Sequence, residues 1–153
     1  MFCRFRPSWR GAWEKATCSV QGRRDSQWQR RRDRGSISTA KRADLVILTL
    51  GESPEMSGEA SSRSNLGLPG RQQELLEAIV NTGKPITLIL FSGRPLTVPW
   101  AFEHVPAVLA AWFPGTETGP ALVRTLIGES NPSGKLVVSW PRNVGQEPLY
   151  YNP

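Results

Sequence analysis

Two uninterrupted apolar runs constrain this chain more than anything else in it: DLVILTL at residues 44–50 and PITLILF at residues 85–91. Neither alternates apolar with polar positions, so each reads as a strand buried on both faces, as inner strands of parallel sheets are. Between them, GRQQELLEAIVNT at 70–82 places Leu75, Leu76, Ile79 and Val80 on one helical face, and Gly83 stands where that helix should end. A third apolar run, AVLAAWF at 107–113, precedes a helical pattern at 117–127 with Glu117 in its first turn. A fourth, KLVVSW at 135–140, follows the turn residues of 131–134 and reads as another strand. Strand and helix alternating at this spacing predict an α/β fold, a mainly parallel sheet flanked by helices.

In such a sheet ligands bind where the strands' carboxyl ends emerge. Three predicted loops leave that edge, at 51–69, 92–99 and 114–116. The first is far longer than the ~4–6 residues usual within a compact domain, and loops of that length tend to carry function. It reads GESPEMSGEASSRSNLGLP and holds three carboxylates, Glu52, Glu55 and Glu59, with Ser61, Ser62 and Arg63 close behind.

Charge divides the chain in two. Residues 1–42 carry twelve Lys and Arg against three acids, a net of +9, whereas residues 43–153 carry a net of −3. The pI near 10.0 therefore belongs to the front end. Residues 1–37 show neither helical nor strand periodicity and read as a disordered or irregular basic segment, with the globular part at 38–153. Residues 36–42 read as the end of a helix leading into the first strand. Cys3 and Cys18 lack a CxxC or a neighbouring His and read as plain thiols. No metal-ligand set or phosphate loop appears, so no cofactor is expected. No run approaches the ~20 apolar residues of a membrane span, and the first residues have no apolar core of a signal peptide. Neither a membrane nor a nucleic-acid partner is expected, and location stays unknown.

From about residue 40 onward the chain resembles the carboxyl-side α/β sandwich domain of glycoside hydrolase family 3, the β-glucosidase family. The resemblance rests on four ordered motifs: DLVILTLGE, EASSRSNLGLPGRQQELLEAI, TGKPITLILFSGRPL and AAWFPGTETGPALVRTLIGESNPSGKLVVSWPRNVGQEPLYYN. It implies retaining hydrolysis of terminal β-linked glucose in β-glucosides or oligosaccharides. It further implies a nucleophilic aspartate on an N-terminal barrel domain and a general acid/base glutamate on the sandwich domain. EASSR places that glutamate at Glu59. Nothing here matches the barrel, so the chain is expected to be a truncated, partial α/β sandwich, inactive alone, periplasmic or cytoplasmic by resemblance.

The residues themselves fit that chemistry. Glycoside cleavage needs one carboxyl group that is protonated and a second that attacks, and in retaining enzymes the two lie ~5–5.5 Å apart. Glu59 is the candidate acid/base, with Glu52 read as a loop brace and Glu55 as a solvated charge. Arg63 and Ser62 are candidate substrate contacts, although Arg63 could instead pair with Glu59 or brace the loop. Arg94, at the ligand edge in SGRPL, reads as structural, Trp112 and Phe113 as core residues ending a strand, and His104 as a surface residue. Two rival readings remain: a non-catalytic α/β module binding a sugar or partner, and a nucleic-acid binder acting through residues 1–42. Residues 1–37 can also be read as a disordered tail or, the preferred reading, as coding DNA translated out of frame.

Overall fold

The structure, a computed structural model, describes residues 16–19 and 26–150, with side chains from Asp33 onward. Four strands form one sheet in the order β1-β2-β3-β4: β1, Ala16–Ser19; β2, Leu45–Gly51; β3, Ile86–Phe91; and β4, Ala107–Ala110. Every pairing is parallel, with Val46 opposite Ile86 and Leu88 opposite Val108. Helix α1, Ser26–Lys41, joins β1 to β2, and α2, Gln72–Val80, joins β2 to β3. After β3 come the short α3, Pro99–His104, and then α4, Thr118–Leu126. The parallel α/β architecture expected from the two apolar runs is present.

Successive strand residues face opposite sides of a sheet. Val46, Leu48 and Leu50 of β2 and Ile86, Leu88 and Leu90 of β3 share the face that forms the core. Leu75, Leu76 and Ile79 of α2 cover them, joined by Leu96, Val98, Ala101 and Val105. Burying each Leu or Ile stabilises the fold by about 1.5–3 kcal/mol, so these two strands and one helix dominate its stability. Gly83 ends α2 as expected, at φ 71° with its N–H donated to Val80 O (3.0 Å).

Three local expectations are corrected. The backbone is regular at 16–19 and from Ser26 on, within the stretch that lacks periodicity. Helix α1, SQWQRRRDRGSISTAK, is rich in Arg and Gln, which favour helix without producing an apolar stripe. The irregular reading of residues 1–15 and 20–25, and the reading of Cys3, lie outside the described residues. No strand forms at 135–140, where Leu136, Val137 and Val138 are exposed, Val137 at 86%. Trp140 holds that segment's end elsewhere: its Nε1–H donates to Leu96 O, and its ring lies 6.2 Å from Phe102 and 5.7 Å from Trp112. A strand needs a ladder partner, and this anchoring gives the segment none.

The third correction concerns the aromatics after β4. The strand stops at Ala110, and Trp112 turns the chain at φ 54°, a conformation rare for a bulky side chain. Trp112 is half-buried and Phe113 exposed, so neither belongs to the core. Replacing Trp140 by Phe removes the bond to Leu96 and keeps most of the ring contact. Denaturant unfolding of that variant should show a loss of about 1 kcal/mol.

Candidate active site

The 51–69 loop leaves the carboxyl end of β2, beside the loop that follows β3, as the parallel topology requires. Its first anchor is Gly51, whose backbone is bound at both ends by one side chain. Gly51 N–H donates to Gln72 Oε1 (2.7 Å), and Gln72 Nε2 donates back to Gly51 O (2.8 Å). Gln72 is buried on an otherwise apolar helix face, and this reciprocal pair satisfies it.

Glu52 follows, with its backbone N–H on Phe91 O (2.8 Å) and a side chain closed off from solvent. Four side chains converge on its carboxylate. Ser57 Oγ donates to Oε2 (2.6 Å), Arg63 Nη1 donates to Oε1, and Arg94 Nε lies 3.2 Å from Oε1. Ser92 Oγ lies 2.9 Å from Oε2 and 2.7 Å from Arg94 O, so its single proton serves one acceptor at a time. Burial pushes the Glu52 carboxyl up, but the hydrogen bonds from Ser57, Arg63 and Ser92 and the charge of Arg94 outweigh it. The net result is a carboxyl held below the usual glutamate value.

The two arginines also bind the loop's backbone. Arg63 Nη2 donates to Gly67 O (3.2 Å), and Arg94 Nη2 donates to both Met56 O (2.6 Å) and Ser61 O (2.8 Å). Those carbonyls flank a tight turn, closed by Ser61 N–H donating to Gly58 O (3.2 Å), whose two central residues are Glu59 and Ala60. Ala60 has φ 59°, the left-handed value that the second central position of a type II turn demands. Glu59 thus stands on an exposed corner at the ligand edge of the sheet, and among the described residues no hydrogen bond or ion pair engages its side chain.

The candidates separate accordingly. Arg63 pairs with Glu52, eleven residues before it, and not with Glu59. Ser62 is exposed beside the turn, and Glu55 is exposed in the turn of 3-10 helix at Pro54–Met56. Arg94, expected to be structural, binds the loop through side-chain partners that lie 33 to 42 residues away in sequence, out of reach of any local pattern. Gly93 beside it offered the available signal. A Cβ there would lie 2.7 Å from the Ser57 side chain and 3.3 Å from Phe113, so the glycine lets the two loops meet. His104 stacks on Trp100 in α3 at 4.2 Å. Among the described residues no group of His, Cys, Asp or Glu is placed to hold a metal, and no helix is long and apolar enough to cross a membrane.

Residues 10–153 match the family model described as the glycosyl hydrolase family 3 C-terminal domain. A periplasmic beta-glucosidase of Salmonella typhimurium is 47% identical over 117 residues, which is 76% of this chain and 15% of that protein. A beta-xylosidase of Formosa agariphila is 44% identical over 116 residues, 76% of this chain and 16% of that protein. Among solved structures, a beta-glucosidase from Listeria innocua superposes with a TM-score of 0.76 at 43% identity, covering 79% of this chain and 17% of its own. A b-glucosidase from Erythrobacter marinus gives 0.79 at 39% identity, covering 83% and 18%. The chain therefore spans less than a fifth of the length of these relatives.

Proposed function

Because the chain belongs to the glycosyl hydrolase family 3 C-terminal domain family, we propose that it supplies the acid/base loop of a retaining β-glucosidase, with Glu59 as general acid and then general base. The observation that carries this reading is the presentation of Glu59. It is exposed on a braced turn at the strands' exit edge, while the neighbouring Glu52 is fully committed to Ser57, Arg63, Ser92 and Arg94. A carboxylate already holding two guanidinium groups has no proton to give, so the division of labour favours Glu59 over Glu52.

In this scheme a barrel domain supplies the second carboxylate. It attacks the anomeric carbon while Glu59 protonates the departing oxygen, forming the glycosyl-enzyme. Glu59, now ionised, takes a proton from the water that releases the sugar. Glucose is the sugar suggested by the beta-glucosidase of Salmonella typhimurium, and xylose the competitor suggested by the beta-xylosidase of Formosa agariphila.

The test combines this chain with the barrel domain of the Salmonella relative and follows aryl β-glucoside and β-xyloside hydrolysis. Glu59→Gln is expected to lower turnover about 10²–10⁴-fold on substrates with poor leaving groups. Azide should restore turnover of activated substrates and yield the β-glycosyl azide. Full activity in Glu59→Gln alongside its loss in Glu55→Gln would remove Glu59 from the role.

A further inference from the structure

We infer that Arg94 is a positioning residue for Glu59, gripping the turn that presents it from the neighbouring strand's exit; this rests on the acid/base reading above. The grip is visible atom by atom. One nitrogen, Nη2, bonds Met56 O and Ser61 O, three residues before Glu59 and two after it. The Nε side of the same planar group faces Glu52, which is fixed at the end of β2. Ser92 Oγ accepts the Arg94 N–H (3.2 Å), and Ser57 Oγ accepts the Gly93 N–H (3.3 Å), which ties the base of the grip to both loops.

The backbone carries an independent sign of the same constraint. Ala60, immediately after Glu59, is held at φ 59° although it has a Cβ. A non-glycine residue stays in that region only where its surroundings over-determine it. Within the turn, the closing bond from Ser61 to Gly58 is long at 3.2 Å, whereas the Arg94 bonds to Met56 and Ser61 are shorter at 2.6 and 2.8 Å. The turn is therefore held from outside, by a side chain of the β3 exit.

This arrangement also explains the choice of arginine. A guanidinium can meet a carboxylate along one edge and carbonyls along another in a single plane. A lysine ammonium at the same position keeps the charge opposite Glu52 but cannot reach both carbonyls as well. Arg94→Lys thus separates positioning from charge balance.

The test has two arms. In the full chain, hydrogen–deuterium exchange of amides 57–62 in Arg94→Lys is expected to rise about tenfold or more. Exchange in residues 87–90 of β3 should stay within about threefold of the parent. In the assembly with the barrel domain, Arg94→Lys should lose roughly 10²-fold in kcat/KM on an alkyl β-glucoside and under about threefold in kcat/KM on the 2,4-dinitrophenyl glucoside, whose departing phenolate needs no proton. A purely structural role would lower both substrates together. Unchanged loop exchange, exchange rising equally in β3, or equal losses on the two substrates would each overturn the inference. Exchange is read without any sugar, so an inactive assembly, or an active Glu59→Gln, strikes the acid/base reading while the loop measurement still decides the grip.

Discussion

Glu52→Gln is expected to destabilise the chain by about 3–5 kcal/mol, the range for removing one member of a buried ion pair. The change keeps the side chain's shape and deletes its charge. Arg63 and Arg94, whose side chains are only 19% and 22% exposed, then face a neutral amide whose NH2 group donates where two guanidiniums also donate. Because the carboxylate joins β2, the 51–69 loop and the β3 exit, the loss should appear in urea unfolding of the whole chain and not as local fraying.

The same residue sets a pH dependence whose sign follows from its surroundings. Its folded carboxyl is held below the ordinary value, which is about 4.3 in an unfolded chain. Between those two values the unfolded chain binds the proton and the folded chain does not, so stability rises with pH there. The contribution is complete above the ordinary glutamate range and disappears as pH falls through the folded value. Urea midpoints measured from about pH 6 down to pH 3 should therefore fall more steeply for the parent than for Glu52→Gln. Parallel curves for the two proteins would show that Glu52 is not the group responsible.

What the sequence makes legible is the part determined by local pattern. DLVILTL and PITLILF announce β2 and β3 because neither run alternates apolar with polar positions. Leu75, Leu76 and Ile79 announce α2 by their spacing, and all three are buried. Helix α1 escapes because its Arg-rich face has no stripe to read. KLVVSW misleads for the opposite reason: its side chains suit a strand, but strand formation depends on a partner, and composition cannot supply one. At the site, the loop is visible from its length and its three glutamates, and Glu52 could be read as a brace from its closeness to the strand. Its partners could not. Arg63 stands four residues from Glu59, so local spacing suggested that pair, whereas the fold brings Arg63 back to Glu52. Arg94 arrives from the far side of a helix and a strand, and only the parallel register places it there.

The second large effect is expected at Gly51. Its φ is 137°, and a Cβ built on it would lie 1.8 Å from Phe91 O and 2.7 Å from Phe91 C. Those are backbone atoms of the paired strand, so no side-chain rotation can relieve the contact. Gly51→Ala must either separate β2 from β3 where Gly51 pairs with Phe91 or flip the peptide away from its positive φ. Separation breaks the Glu52 N–H bond to Phe91 O, and a flip breaks the reciprocal pair with Gln72 and leaves that buried amide unsatisfied. Backbone strain of about 1–3 kcal/mol adds to a similar overpacking cost, giving a total of roughly 4 kcal/mol. Glu52 is the next residue, so the distortion also moves the carboxylate from its four donors, and the loop should loosen with the strand. Chemical denaturation of Gly51→Ala, compared with Gly83→Ala as a control at another positive-φ glycine where a Cβ meets nothing within 4 Å, separates collision from conformational strain. The control should lose only the strain. If the two variants unfold at the same urea concentration, the close approach of β2 and β3 at Gly51 is not what demands glycine there.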